Sequence, residues 1–155
     1  MGSVSEPLTF MMGKYPAVLP AELRYARNHM WCRAADGRAR FGFSSYAVRL
    51  MQDVYFLDWQ VNVGDVLEVK QSIGHIETSK AQSDLFAPIA GKLAVINEEL
   101  LKDPSAINVD NHGTGWLFDM EHAEGGDAGT MSVQEYYQFL EANWENTQRI
   151  LKGQI

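Results

Sequence analysis

The sequence predicts a mainly β domain closed by a C-terminal amphipathic helix. Strand-like stretches recur between Arg24 and Phe118, separated by the turn signals Asp36-Gly37, Asn62-Val63-Gly64-Asp65 and Pro88-Ile89-Ala90-Gly91. A short polar segment carrying Lys80 interrupts two of these stretches in the manner of a hairpin tip. Past a loop with Gly125, Gly126 and Gly129, the residues Val133, Tyr136, Tyr137, Leu140 and Trp144 recur at helical spacing. A length of 155 residues fits one domain with one core.

Residues 1–22 read as an extension, flexible or wrapping, in which Pro7, Pro16 and Pro20 break any regular element. Met1-Gly2-Ser3 is compatible with an appended start, which would move the natural one to Met11 or Met12. Arg24–Trp31 reads as a strand, and Arg38–Phe43 as its hairpin partner across Asp36-Gly37. Ser44 is placed to cap a short helix reaching about Asp53, with Ala47, Val48, Leu50 and Met51 as its apolar face. Val54–Trp59 is the next strand. Val66–Glu77 and Ser83–Ile96 then flank the Lys80 tip as rough halves of one motif. Asn97 is placed to cap a second short helix, Glu98–Lys102, stopped by Pro104. Gly115-Trp116-Leu117-Phe118 starts the last strand. Ser132-Val133-Gln134-Glu135 is a capping box. The helix it opens is expected to run to about Leu151 and end at Gly153, roughly 30 Å at ~1.5 Å per residue. Its aromatic stripe is expected to pack in the core.

Composition narrows the function. A formal charge of −7 argues against nucleic acid, whose affinity comes from neutralising phosphates, and against anionic membrane surfaces. The single cysteine, Cys32, permits no internal disulfide and fits a reducing compartment. It is expected to be a buried small hydrophobe rather than a redox partner. No apolar run approaches the ~20 residues of a membrane span, and Met1–Met12 lacks the features of a signal peptide. The expected location is cytoplasmic. His29, His75, His112 and His122 show no metal-ligand spacing, and neither a Gly-rich phosphate loop nor a Ser/His/Asp order stands out. Neither a catalytic residue nor a metal site is therefore expected.

Lys80 carries the chemistry. An exposed lysine amine at a hairpin tip can be acylated by a modifying enzyme, and the small neighbours Ser79 and Ala81 leave that enzyme room. Gly64-Asp65-Val66, Glu77-Thr78-Ser79-Lys80-Ala81 and Ala87-Pro88-x-x-Gly91 together resemble the lipoyl-domain signature. Biotin carriers resemble the same fold but flank their lysine with methionines. Asn97-Glu98-Glu99-Leu100, Ile107-Asn108-x-Asp110 and Gly113-Thr114-Gly115-Trp116-Leu117-Phe118 resemble the H protein of the glycine cleavage system. The resemblance runs from about Leu23 to about Glu121 as an ordered set of motifs.

That resemblance implies a lipoyl/biotinyl-type barrel-sandwich hybrid with short helices and the C-terminal helix. The implied division is an extension over 1–22, an H-protein-like lipoyl domain over 23–122, and a loop and helix over 123–155 packed on it. It implies covalent lipoate on Lys80, with Asn28, His29, Met30 and Asp84 near the arm. The lysine and lipoyl chain together make roughly a dozen bonds of about 1.5 Å, a reach of about 14 Å. A protein of this kind is a carrier and not an enzyme. Its implied partners are a lipoate ligase or lipoyl-assembly enzymes, and then glycine cleavage enzymes or a heterodisulfide-reductase-like complex. A monomer is expected.

The departures from the family pattern matter here. Glycine-cleavage H proteins typically read Glu-His-Glu-Trp where this chain has Asn28-His29-Met30-Trp31. Their arm carries an aminomethyl group whose amine is cationic at neutral pH, and a carboxylate pairs with it. Phe43-Ser44-Ser45-Tyr46 and Asn111-His112 also depart from the usual Ile-Thr-Asp-Tyr and Pro-Tyr. The chain resembles H-like lipoate-binding proteins of heterodisulfide-reductase-like sulfur oxidation, including the His-Met-Trp element. The implied role is then to carry sulfur-derived intermediates. An aminomethyl carrier, a lipoyl-relay protein and an unmodified interaction domain are the alternatives.

Overall fold

The computed structural model describes residues 6–123, 125–126 and 129–153, with side chains as far as residue 149. The strands are β1 (Leu8–Met12), β2 (Tyr15–Leu19), β3 (Arg24–Tyr25), β4 (Met30–Ala35), β5 (Arg38–Phe43), β6 (Val54–Trp59), β7 (Val66–Leu67), β8 (Ser72–Thr78), β9 (Gln82–Phe86), β10 (Gly91–Ile96) and β11 (Phe118–Glu121). The helices are α1 (Ser45–Met51), α2 (Glu99–Lys102), α3 (Ala106–Val109) and α4 (Val133–Gly153). A six-stranded sheet, β3-β4-β5-β11-β10-β7, faces a three-stranded one, β6-β8-β9. Between them lies one core, in which Phe41, Leu67, Leu93 and Met120 of the first sheet meet Leu57, Ile73, Ile76 and Leu85 of the second. This is the barrel-sandwich architecture expected. No helix among the described residues is long and apolar enough to cross a membrane.

The strands β5 and β6 have the bounds read from the sequence. Ser44 caps α1, its hydroxyl accepting from the Ala47 amide at 3.2 Å. The capping box closes in both directions: Ser132 N–H donates to Glu135 Oε1 at 2.8 Å, and Glu135 N–H donates to Ser132 Oγ at 3.2 Å. The aromatic stripe of α4 packs as expected. Tyr136 and Leu140 are fully buried, and Trp144 is half-buried against the same cluster.

Four expectations fail, each for a local reason. The extension is not devoid of regular structure: β1 and β2 form a hairpin across Gly13-Lys14. Gly13 takes φ 64°, which this tight turn requires. Met12 and Tyr15 flank the two-residue turn, so the next pair, Met11 and Pro16, is a non-hydrogen-bonded one and the ladder needs no amide hydrogen from Pro16. Second, Arg24–Trp31 is not one strand. The chain reverses between β3 and β4 at His29, φ 68°. Third, Val66–Glu77 breaks into β7 and β8 at Lys70, φ 70°. Neither reversal uses glycine or proline, so neither is marked in the sequence. Fourth, Asn97 makes no cap. Its amide donates to the carbonyls of Thr114 and Trp116, at 3.0 and 2.7 Å, and so holds the approach to β11.

The N-terminal hairpin is fastened through Phe10, whose ring meets Tyr46, Tyr137 and Trp144 edge-on at centroid distances of 5.9, 5.6 and 5.7 Å. A chain starting at Met11 or Met12 would lack this anchor. Phe10→Ala is expected to cost about 3–5 kcal/mol in chemical denaturation, the range for emptying a buried phenylalanine site.

Candidate functional site: the Lys80 tip and the adjoining cleft

Lys80 is exposed at the turn between β8 and β9. The turn is pinned from below by Thr78. The Thr78 hydroxyl accepts from the amides of Lys80 and Ala81 and donates to the Ala81 carbonyl, each at 3.2 Å. The Thr78 amide donates to the same carbonyl at 2.9 Å. Ser79 is tied sideways to the segment before β6. Its amide donates to the Asp53 carbonyl at 2.9 Å, and its hydroxyl accepts from the Asp53 amide at 3.2 Å. The backbone under Lys80 is therefore fixed while its side chain stands in water. Sequence reasoning valued Ser79 only for its size and passed over Thr78. The available signal was the tendency of Ser and Thr hydroxyls to bond backbone groups two or three residues away.

Asp84 lies opposite His75 on the hairpin. The His75 ring sits between two carboxylates, 3.5 Å from Glu77 and 3.6 Å from Asp84. Asp84 therefore belongs to a solvated cluster on the hairpin's outer side and is not a lining residue of the cleft described next.

A cleft of about 730 Å³ opens at the far end of β9. Its floor is the run Phe86–Ala90, joined by Asn28 and Val69. Asn28 donates to the Phe86 carbonyl at 3.0 Å, which locks the β3–β4 reversal onto this run. Arg27 and Lys70, both exposed, are the charged residues among its described lining. Phe86 is four residues beyond Gln82, about 14 Å at ~3.4 Å per residue. An arm on Lys80, two residues before Gln82, with a reach of about 14 Å would run along most of β9 toward this cleft.

Of the four residues expected around the arm, Asn28 alone lines the cleft. Met30 is a correction: it is 1% exposed and belongs to the main core, because Met30, Trp31 and Cys32 are all buried in a strand covered on both faces. His29 turns the other way. Its Nδ1 lies 2.8 Å from the Tyr136 hydroxyl, which in turn lies 2.9 Å from Ser44 Oγ. The rings of Tyr46 and Phe139 close over it. Burial lowers the His29 pKa from 6.5 to about 4. The departures at 111–112 are structural as well. Trp31 Nε1 donates to the Asn111 carbonyl, and the Asn111 side chain donates to the Phe43 carbonyl, both at 2.9 Å.

The fold holds His29 neutral, so between pH 6.5 and 4 the unfolded chain binds more protons there than the folded one. The stability this contributes is complete above pH 6.5 and is lost as pH falls toward 4, by on the order of 3 kcal/mol. Burial lowers the His112 pKa in the same direction. Denaturation midpoints measured across this window are expected to fall with pH, and less steeply in His29→Asn, since asparagine tolerates a positive φ. An unchanged slope in the variant would refute the assignment.

Comparison with known proteins agrees with this architecture. The family model described as glycine cleavage H-protein matches residues 23–143. The glycine cleavage system H protein of Carboxydothermus hydrogenoformans is 32% identical over 130 residues, covering 83% of this chain and 99% of the relative. That of Psychrobacter cryohalolentis is 42% identical over 104 residues, covering 66% and 82%. The crystal structure of a glycine cleavage system H protein from Mycobacterium marinum superposes with a TM-score of 0.68 at 29% identity, covering 76% of this chain and 95% of that one. On this match of sequence, length and fold, the chain belongs to the glycine cleavage H-protein family.

Proposed function

We propose that this protein is a lipoyl carrier whose arm is attached to Lys80. The observation that carries the reading is the tip itself: an exposed lysine on a backbone held rigid by Thr78 and Ser79, in a chain of this family. A fixed base and a mobile arm suit presentation of a cofactor to other proteins' active sites. Tethering of this kind raises effective concentration to the mM range. Bound lipoate would supply a dithiolane for redox and group transfer. The chain's own residues anchor it, aim it and shelter its end.

Co-expression with a lipoate ligase is expected to add one lipoyl increment to the intact mass, and Lys80→Ala is expected to abolish it. An increment that survives in Lys80→Ala would defeat the assignment.

For the cargo, we propose a sulfur-derived group passed between enzymes of a heterodisulfide-reductase-like sulfur oxidation pathway. In support, no carboxylate is found among the described residues that line the cleft beside Asn28. A cationic aminomethyl end needs a compensating charge, because a desolvated unpaired cation is costly. The second reading, an aminomethyl carrier in glycine cleavage, is favoured by the names of the relatives. A charge-assisted hydrogen bond is worth roughly 1.5–3 kcal/mol, or about one to two decades of occupancy. Lipoylated protein reconstituted with glycine-cleavage enzymes is therefore expected to turn over about ten- to a hundredfold more slowly than an H protein from a glycine-cleaving relative. Asn28→Glu is expected to recover part of the loss. Met30 is left unchanged, since a carboxylate there would be buried in the core. Full wild-type turnover would establish the second reading.

A further inference from the structure

Among the described residues, His29 and Lys70 are non-glycine residues with positive φ; Lys70 lines the cleft, and His29 follows the lining residue Asn28. At such a φ an ordinary side chain costs roughly 1–2 kcal/mol, which glycine avoids. At Lys70 the strained position carries an ammonium group beside the cleft floor. Its backbone is fixed there, the Lys70 amide donating to the Ala87 carbonyl at 2.9 Å and the Ala87 amide donating to the Gln71 carbonyl at 2.9 Å. Arg27 stands beside Asn28, the residue bonded to Phe86. Neither cation is in an ion pair among the described residues. Arg27 lies 5.8 Å from the Phe139 ring and near Glu135, whose carboxylate is taken by Ser132. Asp127 falls between the lining residues Gly126 and Gly129 and lies outside the described residues. An apolar floor with two cations beside it, in a chain of formal charge −7, is the inverse of what a cationic cargo would need.

We infer that this cleft selects an anionic group at the end of the protein's own Lys80-borne arm, of the class of oxidised-sulfur adducts such as an S-sulfonate. The inference rests on the reading of Lys80 as the anchor. The apolar run Phe86–Ala90 takes the hydrocarbon of the arm, and Arg27 and Lys70 attract the anion.

The test uses unmodified, isotope-labelled protein titrated with two probes of equal chain length, hexyl thiosulfate and hexylammonium, and followed by NMR shifts of the Lys70, Phe86 and Ile89 amides. Hexyl thiosulfate is expected to bind about fivefold tighter than hexylammonium. Lys70→Gly and Arg27→Gln are each expected to reduce that preference about twofold or more, as is added salt. Lys70→Gly relieves the strained φ, so an unchanged or raised Tm in that variant separates loss of charge from loss of fold. Lipoylated protein is expected to bind hexyl thiosulfate more weakly, because the arm competes for the floor. Equal affinity for the two probes, indifference to both substitutions, or unchanged affinity after lipoylation would each overturn the inference. Failure of the anchor reading is seen separately, as a missing lipoyl increment in the intact mass. A lipoylated Lys80 with no anion preference would sink the inference alone.

Discussion

The fold depends on the hydroxyl of Tyr136. It is fully buried, with the His29 ring nitrogen at 2.8 Å on one side and the Ser44 hydroxyl at 2.9 Å on the other. Stacking on Tyr25, with ring centroids 4.5 Å apart and nearly parallel, holds the ring in place. One atom thus joins α4, the N-cap of α1 and the reversal before β4. A buried polar group left unpaired costs about 1–3 kcal/mol, and here His29 would lose its partner while Ser44 kept only the Ala47 amide. The dependence reaches the cleft. His29 fixes the reversal, the reversal places Asn28, and Asn28 holds the Phe86 carbonyl. The C-terminal helix is thereby coupled to the wall of a site it does not itself line.

The chain separates its charges. The outer side of the β8–β9 hairpin shows Glu77 and Asp84 around His75, and the cleft at the far end of β9 shows Arg27 and Lys70. A partner approaching the outer side of the hairpin would meet acid, whereas a group entering the cleft would meet base. Fields of this kind orient encounters before contact is made. The polarity lies along β9, the line on which a tethered arm would travel.

What could be read from the sequence follows a physical division. Strands bounded by turn residues, helices opened by Ser44 and Ser132, and the hairpin around Lys80 were legible, because turn and capping chemistry and the helical period are written in side chains. The reversals at His29 and Lys70 were not, because non-glycine residues carry positive φ there under tertiary constraint. Pro16 misled in the opposite direction: its missing amide hydrogen falls at a position of the hairpin that needs none. The Lys80 tip was legible as a place but not as a mechanism: Thr78 belongs to a residue type that bonds backbone groups two or three positions on, and the turn's geometry shows which groups it takes. Met30 was placed near the arm, whereas Met30, Trp31 and Cys32 are all buried, and three consecutive buried residues leave no alternation from which an outward face could be read.

Cys32 is 1% exposed inside that strand. Thiol–disulfide exchange requires a thiolate in contact with the sulfur it attacks. Since Cys32 is the chain's sole cysteine, the arm proposed on Lys80 would find no accessible thiol on its own protein. The polypeptide would then behave as an insulator around a live wire, and every sulfur exchange such an arm undertook would be with another molecule.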